Sequence, residues 1–181
     1  MSRPLVVILG GTRSGKSRIG RDRAATLAGG GPVTYVGTAL SGDPELDARI
    51  ALHRRDRPAE WTTVEPGREV VAAIGSIEPD ATILLDGLSL WVSLLVGDGP
   101  ADVAAIVDGP VEELRRALAA HAGPVVVVSD EVGLGLVPMD PVARGFRDIL
   151  GIAHQRLVDD ADEAWFTIAG RAIRLESGLP S

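Results

Sequence analysis

The stretch from Leu5 to Ser17 constrains the fold more than any other part of the chain. A continuous apolar run, Leu5-Val6-Val7-Ile8-Leu9, passes directly into Gly10-Gly11-Thr12-Arg13-Ser14-Gly15-Lys16-Ser17. A short, uninterrupted run rich in β-branched residues is the pattern of a strand buried on both faces of a parallel sheet. The glycine-rich part has the spacing G-x-x-x-x-G-K-S of a phosphate-binding loop. In such a loop backbone N–H groups cradle phosphate oxygens, the lysine reaches the β- and γ-phosphates, and the serine hydroxyl sits on Mg²⁺. Arg18 to Leu27 is helix-compatible and ends at Gly29-Gly30-Gly31, so strand, loop and helix occur in the order the motif requires.

Lys16 is the single lysine of 181 residues, against seventeen arginines. At a surface ion pair the two side chains are close to equivalent, but a planar guanidinium does not replace a compact ammonium inside a crowded phosphate loop. The retained lysine therefore argues that the motif is used. Charge distribution points the same way. The net charge is −7, yet residues 1–60 carry ten Lys/Arg against six Asp/Glu, while the remainder carries eight against nineteen. The cations gather around the phosphate loop, which favours a polyphosphate ligand and argues against general nucleic-acid binding.

The length favours one domain spanning 1–181, large enough for a sheet covered by helices. With 3% aromatic residues the core has to be built from Val, Leu, Ile and Ala, and base-stacking platforms are scarce. The absence of cysteine excludes disulfides, thiolate catalysis and Cys-based zinc sites. There is no secretory leader pattern, and the longest apolar stretch, Ala81 to Val96, contains Asp86 and is too short to cross a bilayer, so a soluble, cytoplasmic protein with no membrane span is expected.

Further strands are predicted at Val33 to Val36, Ala81 to Leu85, Pro124 to Val128 and Glu163 to Ile168, with Ala169 to Leu175 as a final hairpin strand. Helical spacing is predicted over Val103 to Ala120 and over Pro141 to Val158. This alternation implies an α/β fold of the P-loop NTPase-like, RecA-like class, a mainly parallel sheet flanked by helices. Ligands of such sheets sit at the carboxyl ends of the strands. Two acidic positions fall there, Asp86 and the pair Asp130-Glu131; each is suited either to positioning Mg²⁺ or to capping a helix.

Asp43 to Pro58 is chemically unusual. Asp43 and Pro44 suit a helix start, and the helix predicted toward Arg55 places Leu46, Ile50 and His53 on one face, with Arg49, Arg54, Arg55 and Arg57 around the imidazole. One reading is a half-buried histidine beside a solvated basic face. The other is a nucleophilic or acid/base imidazole among arginines that neutralise phosphate oxygens; the nearby cations favour the neutral, attacking form. His121 and His154 read as structural.

At this point the chain resembles the bifunctional adenosylcobinamide kinase/adenosylcobinamide-phosphate guanylyltransferase family of cobalamin biosynthesis. The resemblance rests on six ordered blocks. They are Gly10 to Arg18, Tyr35 to Ala39, Arg49 through His53-Arg54 to Glu65, Leu84 to Trp91, Glu131 to Pro138, and Arg144 to Gly151. It implies an enzyme that phosphorylates the aminopropanol hydroxyl of adenosylcobinamide with GTP or ATP and then transfers GMP from GTP onto that phosphate. His53 falls where the family carries its guanylylated nucleophile, with Lys16 as the second catalytic residue. The same pattern implies that GTP is held by Gly10, Gly11, Thr12, Arg13, Ser14, Gly15, Lys16 and Ser17, by Gly37, Thr38 and Ala39, by Arg54, Arg55, Asp56 and Arg57, and by Glu65 and Asp86. Ser17 and Asp86 would serve Mg²⁺, and the family suggests a homo-oligomer, commonly a trimer. The chain departs from the family at Asp130 and His154, where asparagine is usual, and contains no asparagine at all. That composition excludes the Asn-Lys-x-Asp element of a regulatory GTPase. A small-molecule kinase without a covalent nucleotide, and a nucleotide-binding subunit without catalysis, remain as alternatives.

Overall fold

A computed structural model describes residues 3–39 and 57–178. The helix expected from Asp43, and with it His53, Arg54, Arg55 and Asp56, lies outside the described residues.

The chain runs through β1 (Leu5–Gly10), α1 (Lys16–Ala28), β2 (Val33–Gly37), β3 (Thr62–Val64), α2 (Val70–Gly75), β4 (Thr82–Asp86), α3 (Leu88–Val96) and α4 (Val103–Ile106). A π-type segment (Val107–Val111) then leads into α5 (Glu112–Ala120), followed by β5 (Val125–Asp130), α6 (Pro141–Asp159), β6 (Glu163–Ile168) and β7 (Arg171–Leu175). The seven strands form one sheet in the order β3-β2-β4-β5-β1-β6-β7. All neighbours are parallel except β6 and β7, which form the antiparallel hairpin expected after Ala169. The mainly parallel α/β architecture matches the sequence expectation.

Because successive strand residues face opposite sides of a sheet, the continuous apolar runs divide between two cores. Val7, Leu9, Val36, Ile83, Leu85, Val125 and Val127 pack with Ile74, Trp91, Leu114, Leu118, Ile149, Leu150 and Leu157 from α2, α3, α5 and α6. Val6, Ile8, Val33, Tyr35, Leu84, Val126 and Val128 face the other side, where Ala24 of α1 packs against them. Each fully buried Val, Leu or Ile contributes roughly 1.5–3 kcal/mol, so β1, β4 and β5, apolar on both faces, form the rigid centre that carries the site.

One helix departs from expectation. Periodicity over 103–120 predicts a single helix, whereas the backbone breaks at Gly109 (φ −97°, ψ −105°), ahead of Pro110. A proline in a helix interior removes a backbone donor and crowds the preceding turn. The π-type segment between α4 and α5 is held by Arg156 of α6, which donates to Val107 O at 2.9 Å and pairs with Asp108 at 2.8 Å. The start of α6 follows the expected rule: Pro141 is its first residue and the Asp140 carboxylate accepts from Ala143 N at 2.9 Å.

Candidate active site

The phosphate loop joins β1 to α1 through a turn in which Ser14 N donates to Gly11 O at 3.2 Å. Arg13 (φ 56°) and Gly15 (φ 94°) both take left-handed backbone, and Gly15 caps the helix. Glycine is required there because its φ is costly for other residues and because a Cβ would approach Gly170 Cα to 3.1 Å. Gly10 is required for a different reason, since any Cβ would overlap Thr167 Oγ1.

The loop is pinned from β6 and the hairpin turn that follows it. Thr167 Oγ1 donates to Leu9 O at 3.0 Å, leaving it to accept from Ser14 Oγ at 2.8 Å, and Gly170 N donates to Ser14 O at 2.8 Å. Residues 16–18 open α1, whose first turn has N–H groups without intrahelical partners and no acidic side chain. That end of the helix is a ready anion site.

Two carboxylates stand at the ends of neighbouring strands, Asp86 on β4 and Asp130 on β5, with Asp130 opposite Gly10 in the β1–β5 register. Asp86 is half-buried and accepts from Ser17 Oγ at 3.2 Å through one oxygen and from Tyr35 OH at 3.0 Å through the other. Burial pushes the Tyr35 phenol far above its ordinary range, with the Asp86 charge adding to the shift and Arg57 opposing it. Tyr35 therefore stays a donor at any physiological pH. The Arg57 guanidinium lies 3.5 Å from the Tyr35 ring centroid, a cation–π contact that fixes both groups. On the second carboxylate, Asp130 Oδ1 pairs with Lys16 Nζ and Oδ2 accepts from Ser89 Oγ at 2.7 Å. Lys16 also donates to Gly11 O at 3.2 Å.

These groups line a cavity of about 340 Å³. Of the residues singled out in the sequence, Thr12, Lys16, Ser17, Gly37, Thr38, Ala39, Arg57, Glu65, Asp86 and Asp130 line it. Gly10, Gly11, Arg13, Ser14 and Gly15 are not among its lining and shape the loop behind it. The lining also contains Tyr35, Gly87, Ser89, Leu90, Ser93, Val132 and Phe146, which sequence reasoning did not assign to the site. Phe146 and Ser89 lie within the blocks Arg144 to Gly151 and Leu84 to Trp91 that carry the family resemblance, but nothing in the sequence placed either at the site. A larger cavity of about 460 Å³ lies at the opposite, amino-terminal end of β1 and β5, where Arg115 and Asp160 already satisfy each other. It brings together none of the motif residues.

Both histidines within the described residues are buried and partnered. His121 Nε2 lies 2.7 Å from Ala81 O. His154 Nε2 lies 2.7 Å from Ser129 Oγ, and its Nδ1 lies 3.6 Å from Glu131. Burial lowers the His154 pKa, while Glu131 and Asp130 oppose that shift. Beyond the cavity-lining Val132, the segment leading to α6 leaves Leu134, Leu136 and Met139 exposed.

The family described as cobinamide kinase / cobinamide phosphate guanyltransferase matches residues 6–175. The bifunctional adenosylcobalamin biosynthesis protein CobP of Pseudomonas aeruginosa is 39% identical over 172 residues, covering 94% of this chain and 96% of that protein. The CobU proteins of the same description from Salmonella typhimurium and Escherichia coli are 36% and 32% identical, each covering 95% of this chain and 99% of the relative. Among solved structures, an ATPase domain aligns over 91% of this chain and 69% of its own at TM-score 0.52 and 15% identity. The flagellar accessory protein FlaH of Methanocaldococcus jannaschii aligns over 96% of this chain and 78% of its own at TM-score 0.51 and 18% identity. The structural matches establish a P-loop ATPase fold and nothing finer. The family match runs from β1 to β7 and the relatives align over nearly their whole length, so the chain belongs to the cobinamide kinase / cobinamide phosphate guanyltransferase family.

Proposed function

We propose that the chain phosphorylates the aminopropanol hydroxyl of adenosylcobinamide and then transfers GMP from GTP onto the resulting phosphate, through a guanylylated His53. The observation that carries this reading is the convergence of Lys16, Ser17, Asp86 and Arg57 on one cavity beside the open end of α1. Triphosphate oxygens would take the N–H groups of the loop from Gly10 to Ser17 and the Lys16 ammonium. Gly37, Thr38, Ala39, Glu65 and Arg57 would surround the nucleoside end. His53, Arg54, Arg55 and Asp56 enter the proposal from the family pattern alone.

The residues present suit Mg²⁺. No group of three or more acidic or histidine side chains gathers to hold a metal among the described residues. Ser17 and Asp86 offer hard oxygen ligands within hydrogen-bond reach of each other. Mg²⁺ is commonly held in this way, by one or two protein oxygens with phosphates and waters. When bound it would offset phosphate charge.

Histidine chemistry divides one transfer between two anions into two displacements. In the first, an imidazole nitrogen bonds the α-phosphorus and pyrophosphate leaves. In the second, the substrate phosphate oxygen bonds that phosphorus and the imidazole is released. The kinase step instead needs in-line attack of the alcohol oxygen on the γ-phosphorus, with positioning and electrostatics supplying the acceleration. A trimeric or other homo-oligomeric assembly is part of the proposal by family resemblance.

The test is intact-protein mass spectrometry after mixing the protein with GTP and Mg²⁺. A covalent GMP adduct that acid removes and that His53→Ala abolishes is expected. Bound GTP without an adduct would overturn the covalent route and favour a kinase lacking a nucleotidyl intermediate.

A further inference from the structure

Lys16 is not idle in this structure. Its side chain is only 12% exposed, and its ammonium is already committed, to the Asp130 carboxylate on one side and to Gly11 O on the other. Asp130 is itself held from behind by Ser89 Oγ. The strand register places it opposite Gly10, the first residue of the phosphate loop, and it lines the cavity. Asp86, the other strand-end carboxylate of the cavity, is committed to Ser17 and Tyr35. The two acids therefore hold Lys16 and Ser17 of the loop, one each.

A phosphate group entering the loop has to take donors from Lys16, which has three N–H groups and no other lysine to share the task. It then comes to rest beside an Asp130 carboxylate that has lost part of its neutralising partner. Two like charges brought together in a partly desolvated cleft repel far more than they would in water. A divalent cation travelling with the triphosphate removes most of that repulsion. An asparagine at the same position would accept from Ser89 equally well, without the charge.

We propose that Asp130 makes nucleotide binding conditional on a divalent cation: it pairs with Lys16 and repels a metal-free triphosphate while admitting the metal complex. This rests on the reading that the cavity takes a nucleotide. Asp130 acts on binding through Lys16 and through its own field, and is a positioning residue.

The experiment is calorimetric titration of GTP into the full chain and into Asp130→Asn and Asp130→Glu, each in excess Mg²⁺ and again in excess EDTA. The wild type should bind far more weakly in EDTA. Asp130→Asn should tighten metal-free binding by about tenfold or more, a factor of ten being about 1.4 kcal/mol, while binding in Mg²⁺ moves by less than about threefold. Asp130→Glu, which keeps the charge, should keep the wild-type ratio. An unchanged ratio in Asp130→Asn, or an equal loss in both conditions, would overturn the proposal by reducing Asp130 to a structural partner of Ser89. Failure of the wild type to bind GTP even in Mg²⁺ would instead remove the nucleotide reading of the cavity, and the proposal with it.

Discussion

Replacing Tyr35 with phenylalanine tests the electrostatic description of the site at one oxygen atom. The change removes the hydroxyl that donates to Asp86 at 3.0 Å and leaves the ring under Arg57 in place. Hydrogen bonds to charged groups contribute about 1.5–3 kcal/mol. Asp86 is half-buried and faces the cavity, where water can replace the lost donor, so about 1.5 kcal/mol at pH 8 is expected. The pH dependence gives a sharper check. Tyr35 is the only tyrosine, and its folded pKa is raised well above the ordinary tyrosine value of about 10 by burial and by Asp86.

For a group raised on folding, the contribution is fully present below the unfolded pKa and is lost as pH rises toward the folded one. Above pH 10 the unfolded wild type gains a tyrosinate that the folded chain refuses, which costs the wild type about 1.4 kcal/mol per pH unit. The phenylalanine variant has no such term. Urea unfolding of both proteins should therefore differ by about 1.5 kcal/mol at pH 8 and nearly converge at about pH 11. Tyrosinate absorbance on the same samples should appear only with unfolding. Ionisation of the folded chain near pH 10, or a gap that stays constant between the two pH values, would refute the reasoning.

Thr167→Val should release the phosphate loop from β6. It leaves Ser14 Oγ and Leu9 O without the buried partner they share, which costs roughly 1–3 kcal/mol in urea unfolding and should weaken GTP affinity measured by calorimetry, while an unchanged affinity would mean that the loop holds its shape unaided. His154→Gln should alter acid sensitivity. Burial holds the His154 pKa below its ordinary value, so its contribution is complete above about pH 6.5 and is lost as pH falls below that; unfolding curves of wild type and variant should converge between pH 7.5 and 5, and parallel curves would show that His154 carries no linked proton.

The elements that were legible in the sequence are those whose signal is local. The run Leu5 to Leu9 and the loop behind it were readable because a parallel strand buried on both faces and a glycine turn are each specified within a few residues. Glu163 to Ile168 was legible for the same reason, its bounds in the structure being those expected. The strand at Ala81 to Leu85 was legible, but helix α3 after it was not, because Ala81 to Val96 is apolar nearly throughout and such a run shows no helical period. The boundary is a backbone event, Gly87 at φ 110°. The three-residue strand β3 at the sheet edge is too short to carry a pattern. In the site, Lys16, Ser17 and Asp86 stood out by motif and by position at a strand end. Asp130 stood out in the same way, as a strand-end acid, but its pairing with Lys16, 114 positions away, and the parts played by Tyr35 and Ser89 follow only from the strand order.

That order has a consequence for biosynthesis. The motif is translated within the first twenty residues, yet two of its anchors, Thr167 and Gly170, are translated some 150 residues later. At about 5–20 residues per second, the nascent chain spends on the order of ten seconds carrying a phosphate loop that lacks the hairpin against which it is braced. Bracing of the loop by the hairpin can therefore begin only once Gly170 has been made, and a stall anywhere upstream of β6 yields a chain that carries the loop without these two anchors.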